Sequence, residues 1–396
     1  MPVVTVPGAN GSIVTQTFAN ASGNYALAQA IQAQLLSLQA KGGLVPQTNP
    51  AAAGNELVLT GANASLGVPS GFSFIVDATS GASQNLTLTG QNQGFLGGFG
   101  ATTVAGSGSG TITGADNPSG APGGNEYFLF TQGSHYQAAL NSGTDTVIAA
   151  GTGTIFGGAG QDTYNVVGGT DTITAASGSG LNTLFNNGGK VYFMAGAGTG
   201  SAPGLTSIVG GAGGSSTVIG ASNNIVFYSA ASSTPGALLQ AGTGNETLWG
   251  AAVGSNPGSS ANDALVGSPV AGTNDLLVGG TGTDILVAGV GNDTLWSDPA
   301  SSSHNFFFFI AGHAGGTDDV FLGPNGAAEL TGYDTLFGGK AGSDAAAQAV
   351  VAGVGAGGTP AAVSATGLTY KLGDGTTVTF QGFSSPGQLA GHIGSS

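Results

Sequence analysis

The chain contains no cysteine and no arginine, and its only basic residues are four lysines against nineteen acidic residues. The net charge of −15 excludes a nucleic-acid partner, because phosphate binding requires guanidinium or ammonium groups in quantity. It also disfavours binding to anionic membrane surfaces. Because no disulfide can form, packing, backbone hydrogen bonds and bound ions must stabilise the fold.

Long apolar runs are absent as well. No run approaches the roughly twenty residues that a transmembrane helix needs. The longest, FFFFI at residues 306–310, predicts a buried strand. The first residues, MPVVTVPGANGSIV, lack the basic and apolar regions of a cleaved secretion signal. A cytosolic protein and a protein exported without such a signal both satisfy these absences.

Glycine is abundant, with 77 residues, and much of it lies in nine-residue repeats. Residues 271–296 read AGTNDLLVGGTGTDILVAGVGNDTLW, in which glycines precede an aspartate and a large apolar residue follows two places later. Glycine permits turns at backbone angles that side chains forbid, with carbonyls directed inward. Aspartate supplies the hard oxygen ligands that Ca²⁺ prefers. The apolar residues Leu277, Leu286 and Leu295 are expected to point into a core from short strands, so that two units form one coil of a flattened solenoid.

These units resemble the repeats of the RTX family of secreted calcium-binding proteins, whose pattern is G-G-x-G-x-D-x-U-x with U a large apolar residue. Residues 279–287 and 157–165 match every fixed position, residues 288–296 depart once, and residues 241–249 depart twice. The resemblance implies an all-β fold, namely a parallel β-roll or β-solenoid with calcium-binding turns. It also implies export by the type I secretion machinery, which reads an uncleaved carboxy-terminal signal.

The candidate Ca²⁺ ligands are carboxylates and turn glycines of full and partial units. They are Asp145, Gly158, Gly160, Asp162, Asp171, Glu246, Asp263, Gly272, Asp275, Gly280, Gly282, Asp284, Gly289, Gly291, Asp293 and Asp334. If one coil is two units, residues eighteen apart stack, so Asp275 and Asp293 are expected to share calcium while Asp284 lies on the opposite edge. Asp145 and Asp162 are expected to stack in the same way, and glycine carbonyls to complete the shells. Because each ion offsets carboxylate repulsion, calcium binding and coiling are predicted to be one process.

The amino-terminal region, residues 1–45, is predicted to hold a strand and one short helix over residues 24–41. Leu27, Ile31, Leu35 and Leu38 recur at helical spacing, and Gly42 and Gly43 end the helix. The rest of the helix surface is uncharged, which leaves two alternatives. The helix either caps the open end of the solenoid or contacts a neighbouring subunit in an assembly.

Three further regions follow. Residues 46–140 contain short strands between glycine-rich turns, a rhythm that favours solenoid coils over a β-sandwich. Residues 141–345 form the RTX-like β-roll. In residues 346–396, Asp374-Gly375 lies between two alternating segments and predicts a β-hairpin within the secretion-signal region.

Residues 1–140, before the repeats, have the same glycine-, threonine- and asparagine-rich composition. The chain therefore resembles the scaffold-like surface-layer and biofilm-matrix proteins of bacteria. We therefore predict a secreted structural protein, not an enzyme, whose Ca²⁺-ordered solenoid self-assembles into an extracellular layer or filament. Its predicted partner is itself. Two alternatives stay open: a monomeric carbohydrate-binding adhesin that contacts cell-surface or matrix polysaccharide, and a polysaccharide-degrading β-solenoid enzyme, since a glycosidase needs only two carboxylates.

Overall fold

The computed structural model describes residues 2–18, 22–79, 81–176, 182–195, 205–210, 215–220, 224–228, 236–250, 262–280, 282–297, 304–309, 316–323, 326–329 and 360–393. The predicted ligand Asp334 lies outside the described residues. The chain divides into two compact units, a first unit of Met1–Thr206 and a second unit of Ser207–Ser396.

Short strands make up most of both units. The first unit contains β1 Val3–Pro7, β2 Ile13–Thr17, β3 Pro46–Gln47, β4 Glu56–Leu59, β5 Asn63–Val68, β6 Phe74–Asp77, β7 Gln84–Leu88, β8 Gln93–Leu96, β9 Thr102–Gly106, β10 Ser109–Thr113, β11 Glu126–Phe130, β12 His135–Ala139, β13 Thr144–Ala149, β14 Thr152–Phe156, β15 Gln161–Val166, β16 Thr170–Thr174, β17 Asn182–Asn186 and β18 Lys190–Met194. Strand β19, Leu205–Gly210, contains the boundary between the units. The second unit contains β20 Ser215–Ile219, β21 Asn224–Tyr228, β22 Leu238–Gln240, β23 Thr247–Trp249, β24 Ala264–Val266, β25 Leu276–Val278, β26 Ile285–Val287, β27 Thr294–Trp296, β28 Phe306–Phe308, β29 Thr317–Phe321, β30 Ala327–Glu329, β31 Ala362–Val363, β32 Gly367–Lys371 and β33 Thr377–Gln381. The described helices are α1 Ser22–Ala40 and α2 Pro386–Leu389, with 3₁₀ turns at Ala9–Gly11 and Ala390–His392.

Successive strands alternate between two parallel sheets. In the first unit, an even-strand sheet runs β3-β4-β6-β8-β10-β12-β14-β16-β18, and an odd-strand sheet runs from β5 to β17. In the second unit, the even-strand sheet includes β20 to β30 and the odd-strand sheet includes β21 to β29. Each coil contributes one strand to each sheet, which is the architecture of a parallel β-solenoid. The repeat pattern predicted this fold, and the parallel pairing already begins at β3 and β4.

The core consists of apolar side chains at alternate positions of each strand. Leu277, Leu286 and Leu295, which the repeats place inward, are all inaccessible to solvent. The alternation follows from the strand geometry, in which successive side chains point to opposite faces of a sheet. Burying a leucine contributes about 1.5–3 kcal/mol. One such residue per strand therefore gives every coil its own share of the core.

Helix α1 and the antiparallel hairpin β1–β2 cover the outer face of the even-strand sheet in the first unit. Ile31 and Leu35 of the predicted stripe join one apolar cluster with Val58 of β4, Val76 of β6 and Leu96 of β8. For this reason β4, β6 and β8 are buried on both faces. The helix lies against the face of the sheet, and the left-handed Gly42 (φ +67°) follows its last turn.

The carboxy-terminal strands end the odd-strand sheet of the second unit. Strand β29 pairs parallel with β33, which pairs antiparallel with β32, so the predicted hairpin is confirmed. Gly375 lies in its turn with a φ of +96°. Strand β31 pairs with β32, forms this edge of the sheet and is only two residues long. Among the described residues, no helix has both the length and the apolar character needed to cross a bilayer.

Candidate functional site

Acidic residues at the starts of the coil strands point inward and stack from coil to coil. We call these stacks carboxylate ladders. The first-unit ladder consists of Glu126, Asp145, Asp162 and Asn182; the odd ladder of the second unit consists of Glu246, Asp275, Asp293 and Asp318; the even ladder of the second unit consists of Asp263, Asp284 and Asn305. Every acidic residue of the three ladders is at most 2% exposed.

One oxygen of most ladder side chains accepts a hydrogen bond from the backbone of the preceding coil. The N–H of Glu126 donates to Oδ1 of Asp145 at 2.7 Å, and the N–H of Asp263 donates to Asp284 at 2.8 Å. Asp275 donates in the same way to Oδ1 of Asp293 at 3.3 Å. Buried backbone N–H groups need such acceptors. The ladders therefore continue the hydrogen bonding between coils into the turns.

In three of the ladder aspartates, Oδ2 accepts a hydrogen bond from the glycine-rich turn of its own coil. Gly158 donates its N–H to Oδ2 of Asp162 at 2.9 Å, and Gly289 donates to Oδ2 of Asp293 at 2.5 Å. Gly280 makes the equivalent bond to Asp284. A negatively charged acceptor strengthens such bonds. These repeat glycines thus present an N–H group to the carboxylate, and the role of their carbonyls as ion ligands stays a prediction.

The glycines are required mainly because adjacent coils approach each other closely. A Cβ atom on Gly158 would lie 1.5 Å from the carbonyl oxygen of Asn141, and one on Gly160 would lie 1.5 Å from that of Gly143. Among the predicted site glycines within the described residues, only Gly272 has a left-handed φ, at +86°. The expectation that unusual backbone angles explain the glycines is therefore wrong for most of them.

The structure confirms the predicted stacking where the repeats are regular. Asp275 and Asp293 stack eighteen residues apart, Asp145 and Asp162 are register partners, and Asp284 lies in the opposite sheet. Elsewhere the step between stacked ladder residues is longer, reaching 29 residues for the bond between Glu246 and Asp275. Extra residues in the turns lengthen the coil without interrupting the ladder.

Sequence reasoning missed four ladder residues: Glu126, Asn182, Asn305 and Asp318. None of them follows a complete glycine-rich turn of the family pattern. The available signal was an acidic or amide residue two places before an inward apolar residue, as in EYFLF at Glu126 and DDVF at Asp318. Asp171 was predicted but belongs to no ladder; its Oδ1 accepts a hydrogen bond from the hydroxyl of buried Tyr136 at 2.5 Å.

Burial makes the charged form of the ladder carboxylates costly. It raises the pKa of Asp162 to about 7, of Asp293 to about 6 and of Asp318 to about 8. In the first-unit ladder, burial and then the charge of Asp145 raise the pKa of Glu126 well above its usual value. Four basic residues cannot neutralise nineteen acidic ones. The folded ladders therefore favour a bound proton or a bound cation.

The donor chemistry of the first-unit ladder fits Ca²⁺. Buried oxygens of Glu126, Asp145 and Asp162 accept no hydrogen bond, and carboxylate oxygens are the ligands this ion prefers. Within the described part of the chain, no three acidic, histidine or cysteine side chains converge as a metal-binding group. Each bound ion would therefore need main-chain carbonyls or water in addition to the carboxylates.

Comparison with known proteins identifies no relative of the chain. No protein-family model matches it, and neither do the curated proteins or solved structures with which it was compared. Its function must be inferred from the ladders and from the surfaces of the two units.

Proposed function

We propose that the protein is a secreted structural protein whose solenoid is ordered by Ca²⁺ and self-assembles into an extracellular layer or filament. The observation that carries the proposal is the stacking of buried carboxylates whose charges the few lysines cannot compensate. Bound Ca²⁺ would supply that compensation and link ion binding to coiling. The resemblance to RTX repeats points to the same ion and to type I export.

An extracellular location follows from the affinity expected of such sites. Extracellular calcium modules bind with dissociation constants of roughly 10⁻⁴–10⁻³ M, which cytosolic calcium is too scarce to satisfy. A protein whose coils the ion stabilises would then reach its full stability only after export. The many inward carboxylates would repel one another until the ion becomes available.

Self-assembly is supported by an apolar outer face on the even-strand sheet of the second unit. Leu238, Ala264, Ile285 and Phe306 are register partners on four adjacent strands. Leu238 is 46% exposed and Ile285 is 40% exposed. Contiguous exposed apolar surface is typical of protein interfaces. We assign the contact between copies to this face, because the short edge strand β31 offers few unpaired backbone groups to another chain.

Electron microscopy and sedimentation with Ca²⁺ and with EDTA test the proposal. We expect fibres or sheets in Ca²⁺ that disperse on chelation. The double variant Leu238→Lys, Ile285→Lys is expected to remain folded by circular dichroism but to sediment as single molecules. As a matched control, the double variant Thr317→Lys, Val363→Lys places the same two charges at exposed sites on the other sheet and is expected to assemble normally. Assembly that is unchanged by EDTA, or that persists in the Leu238→Lys, Ile285→Lys variant, would contradict the proposal.

A carbohydrate-binding adhesin is the second candidate function. It is supported by a groove of 530 Å³ in the first unit, between α1 and the outer face of the even-strand sheet. Its lining contains no acidic residue and no lysine, and its polar groups include Gln34, Asn92, Thr111 and Gln137. In a chain with a net charge of −15, such a surface suits a neutral ligand with many hydroxyl groups. Retention of the protein by neutral polysaccharides is the test.

A further inference from the structure

Both tryptophans of the chain lie on the outer face of the odd-strand sheet in the second unit. They belong to a row of register partners on four adjacent strands, which we call the aromatic strip: Trp249, Val278, Trp296 and Phe321. The strip points outward, because the residues beside it in sequence, Leu248, Leu277, Leu295 and Val320, are buried in the core. It is therefore separate from the carboxylate ladders.

The three rings of the strip are accessible, whereas Val278 between the two tryptophans is buried. Trp296 is 46% exposed, and Trp249 and Phe321 are half-buried. The centroids of Trp296 and Phe321 are 5.2 Å apart, with an angle of 33° between the ring planes. Trp249 lies two strands away from Trp296, which corresponds to roughly 10 Å at the usual strand spacing. An extended ligand lying across the strands would meet one ring after another.

Neutral hydrogen-bonding groups border the aromatic strip. The neighbouring row of outward positions contains Thr247 and Thr294, both half-buried. Exposed Asn274 and Asn292 lie two residues before β25 and β27, with Nδ2 of Asn292 donating to Oδ1 of Asn274 at 3.2 Å. The one acidic group in this row, Asp319, accepts a hydrogen bond from Gln381 at 2.9 Å.

This combination distinguishes the strip from the apolar face of the even-strand sheet. That face is mainly aliphatic and suits a second copy of the chain. The strip instead pairs ring surfaces with hydroxyl and amide groups, and an aromatic residue offers an apolar face together with a polar edge. A sugar ring has the matching apolar C–H face and hydroxyl rim. Because the protein carries a net charge of −15, acidic polysaccharides would be repelled.

We propose that the aromatic strip binds an uncharged polysaccharide chain laid across strands β23 to β29. The inference rests on the second candidate function and gives it a binding surface distinct from the groove beside α1. In an assembled layer, the same surface would attach the protein to a neutral matrix polymer.

Affinity electrophoresis in native gels tests the proposal with four neutral polymers: hydroxyethylcellulose, dextran, galactomannan and laminarin. Alginate serves as the acidic comparison. We expect at least one neutral polymer to retard the protein in Ca²⁺ and to change its tryptophan emission, since both fluorophores lie in the strip. Trp296→Ala is expected to bind roughly three- to tenfold more weakly, as for the loss of one aromatic contact. Trp296→Phe keeps a ring and is expected to retain most of the binding.

Two control variants separate this site from the alternatives. Tyr127→Ala removes an aromatic side chain of similar exposure, 39%, from the first unit and is expected to bind normally. Gln137→Ala alters the groove. If Gln137→Ala were the only variant to lose retention, the proposal for the strip would be wrong, and the adhesin function would still be supported. Failure of all four neutral polymers to retard the unaltered protein would overturn both. If Trp296→Ala instead changed particle size without changing retention, the strip would be a contact between copies.

Discussion

Replacing Asp293 by asparagine tests whether a ladder carboxylate is a structural acceptor, a calcium ligand or both. The variant keeps the oxygen that accepts from Asp275 but places an amide where Oδ2 accepts from Gly289. Leaving that buried N–H unsatisfied costs about 1–3 kcal/mol. The variant also removes a buried charge. Since burial raises the pKa of Asp293 from 3.8 to about 6, losing the charge returns about 3 kcal/mol at neutral pH.

The two effects oppose each other, so in EDTA Asp293→Asn should lie within about 2 kcal/mol of the unaltered protein. Adding Ca²⁺ is expected to make the stabilities of the two proteins differ. At about 10 mM Ca²⁺ and the dissociation constants of extracellular modules, each ion stabilises the fold by about 1.4–2.7 kcal/mol. The unaltered protein should gain this increment from the ion bound at Asp293, and Asp293→Asn should not.

Urea unfolding followed by circular dichroism, in EDTA and in Ca²⁺, measures the increment directly. Asp77→Asn is the matched control, because Asp77 is a buried aspartate of the first unit that accepts from Thr79 and belongs to no ladder. This control should keep the whole calcium increment. If Asp293→Asn gains as much from Ca²⁺ as the unaltered protein, Asp293 is not a ligand and the reasoning about this ladder is refuted.

Two further predictions concern protons and glycines. In EDTA, the free energy of unfolding should fall as the pH rises from about 4 to 8, because the raised pKa values of Asp162 (about 7) and Asp318 (about 8) mean that the folded state binds protons more tightly than the unfolded state. This stabilisation is complete below the pKa of the unfolded state and is lost as the pH rises through the pKa values of the folded state. Urea midpoints at pH 5 and pH 8 measure it. A midpoint that rises with pH would contradict the prediction. Gly158→Ala should destabilise the protein by about 1–3 kcal/mol or prevent folding, because the added Cβ would overlap the carbonyl of Asn141. Gly61→Ala, where an added Cβ meets nothing within 4 Å, should melt near the unaltered temperature.

The regular repeats made part of the fold predictable. A nine-residue unit with one inward leucine defines a strand, a turn and a half-coil, so the burial of Leu286 and the stacking of Asp275 on Asp293 follow from local spacing alone. The carboxy-terminal hairpin was predictable for a similar reason, since Asp374-Gly375 marks its turn. In each case the decisive residues are close together in sequence.

Other features depend on pairing between distant residues. Glu126 and Asp318 join ladders only because their coils stack in register, across 19 and 25 residues respectively. The docking of α1 onto the even-strand sheet was also missed. The segment ELVL at β4 carried a signal for it. Its consecutive apolar residues point to both faces of the sheet, and a strand that is apolar on both faces must be covered on both.

The unequal steps along the ladders bear on how the protein could be engineered. Stacked positions stay hydrogen-bonded whether 18 or 29 residues separate them, so turn length is decoupled from the integrity of the coil. A foreign peptide inserted in the exposed turn at residues 269–272 would then be displayed on the surface while the neighbouring strands keep their register. Repeated along a polymer, such an insertion would present the peptide at the spacing of the subunits.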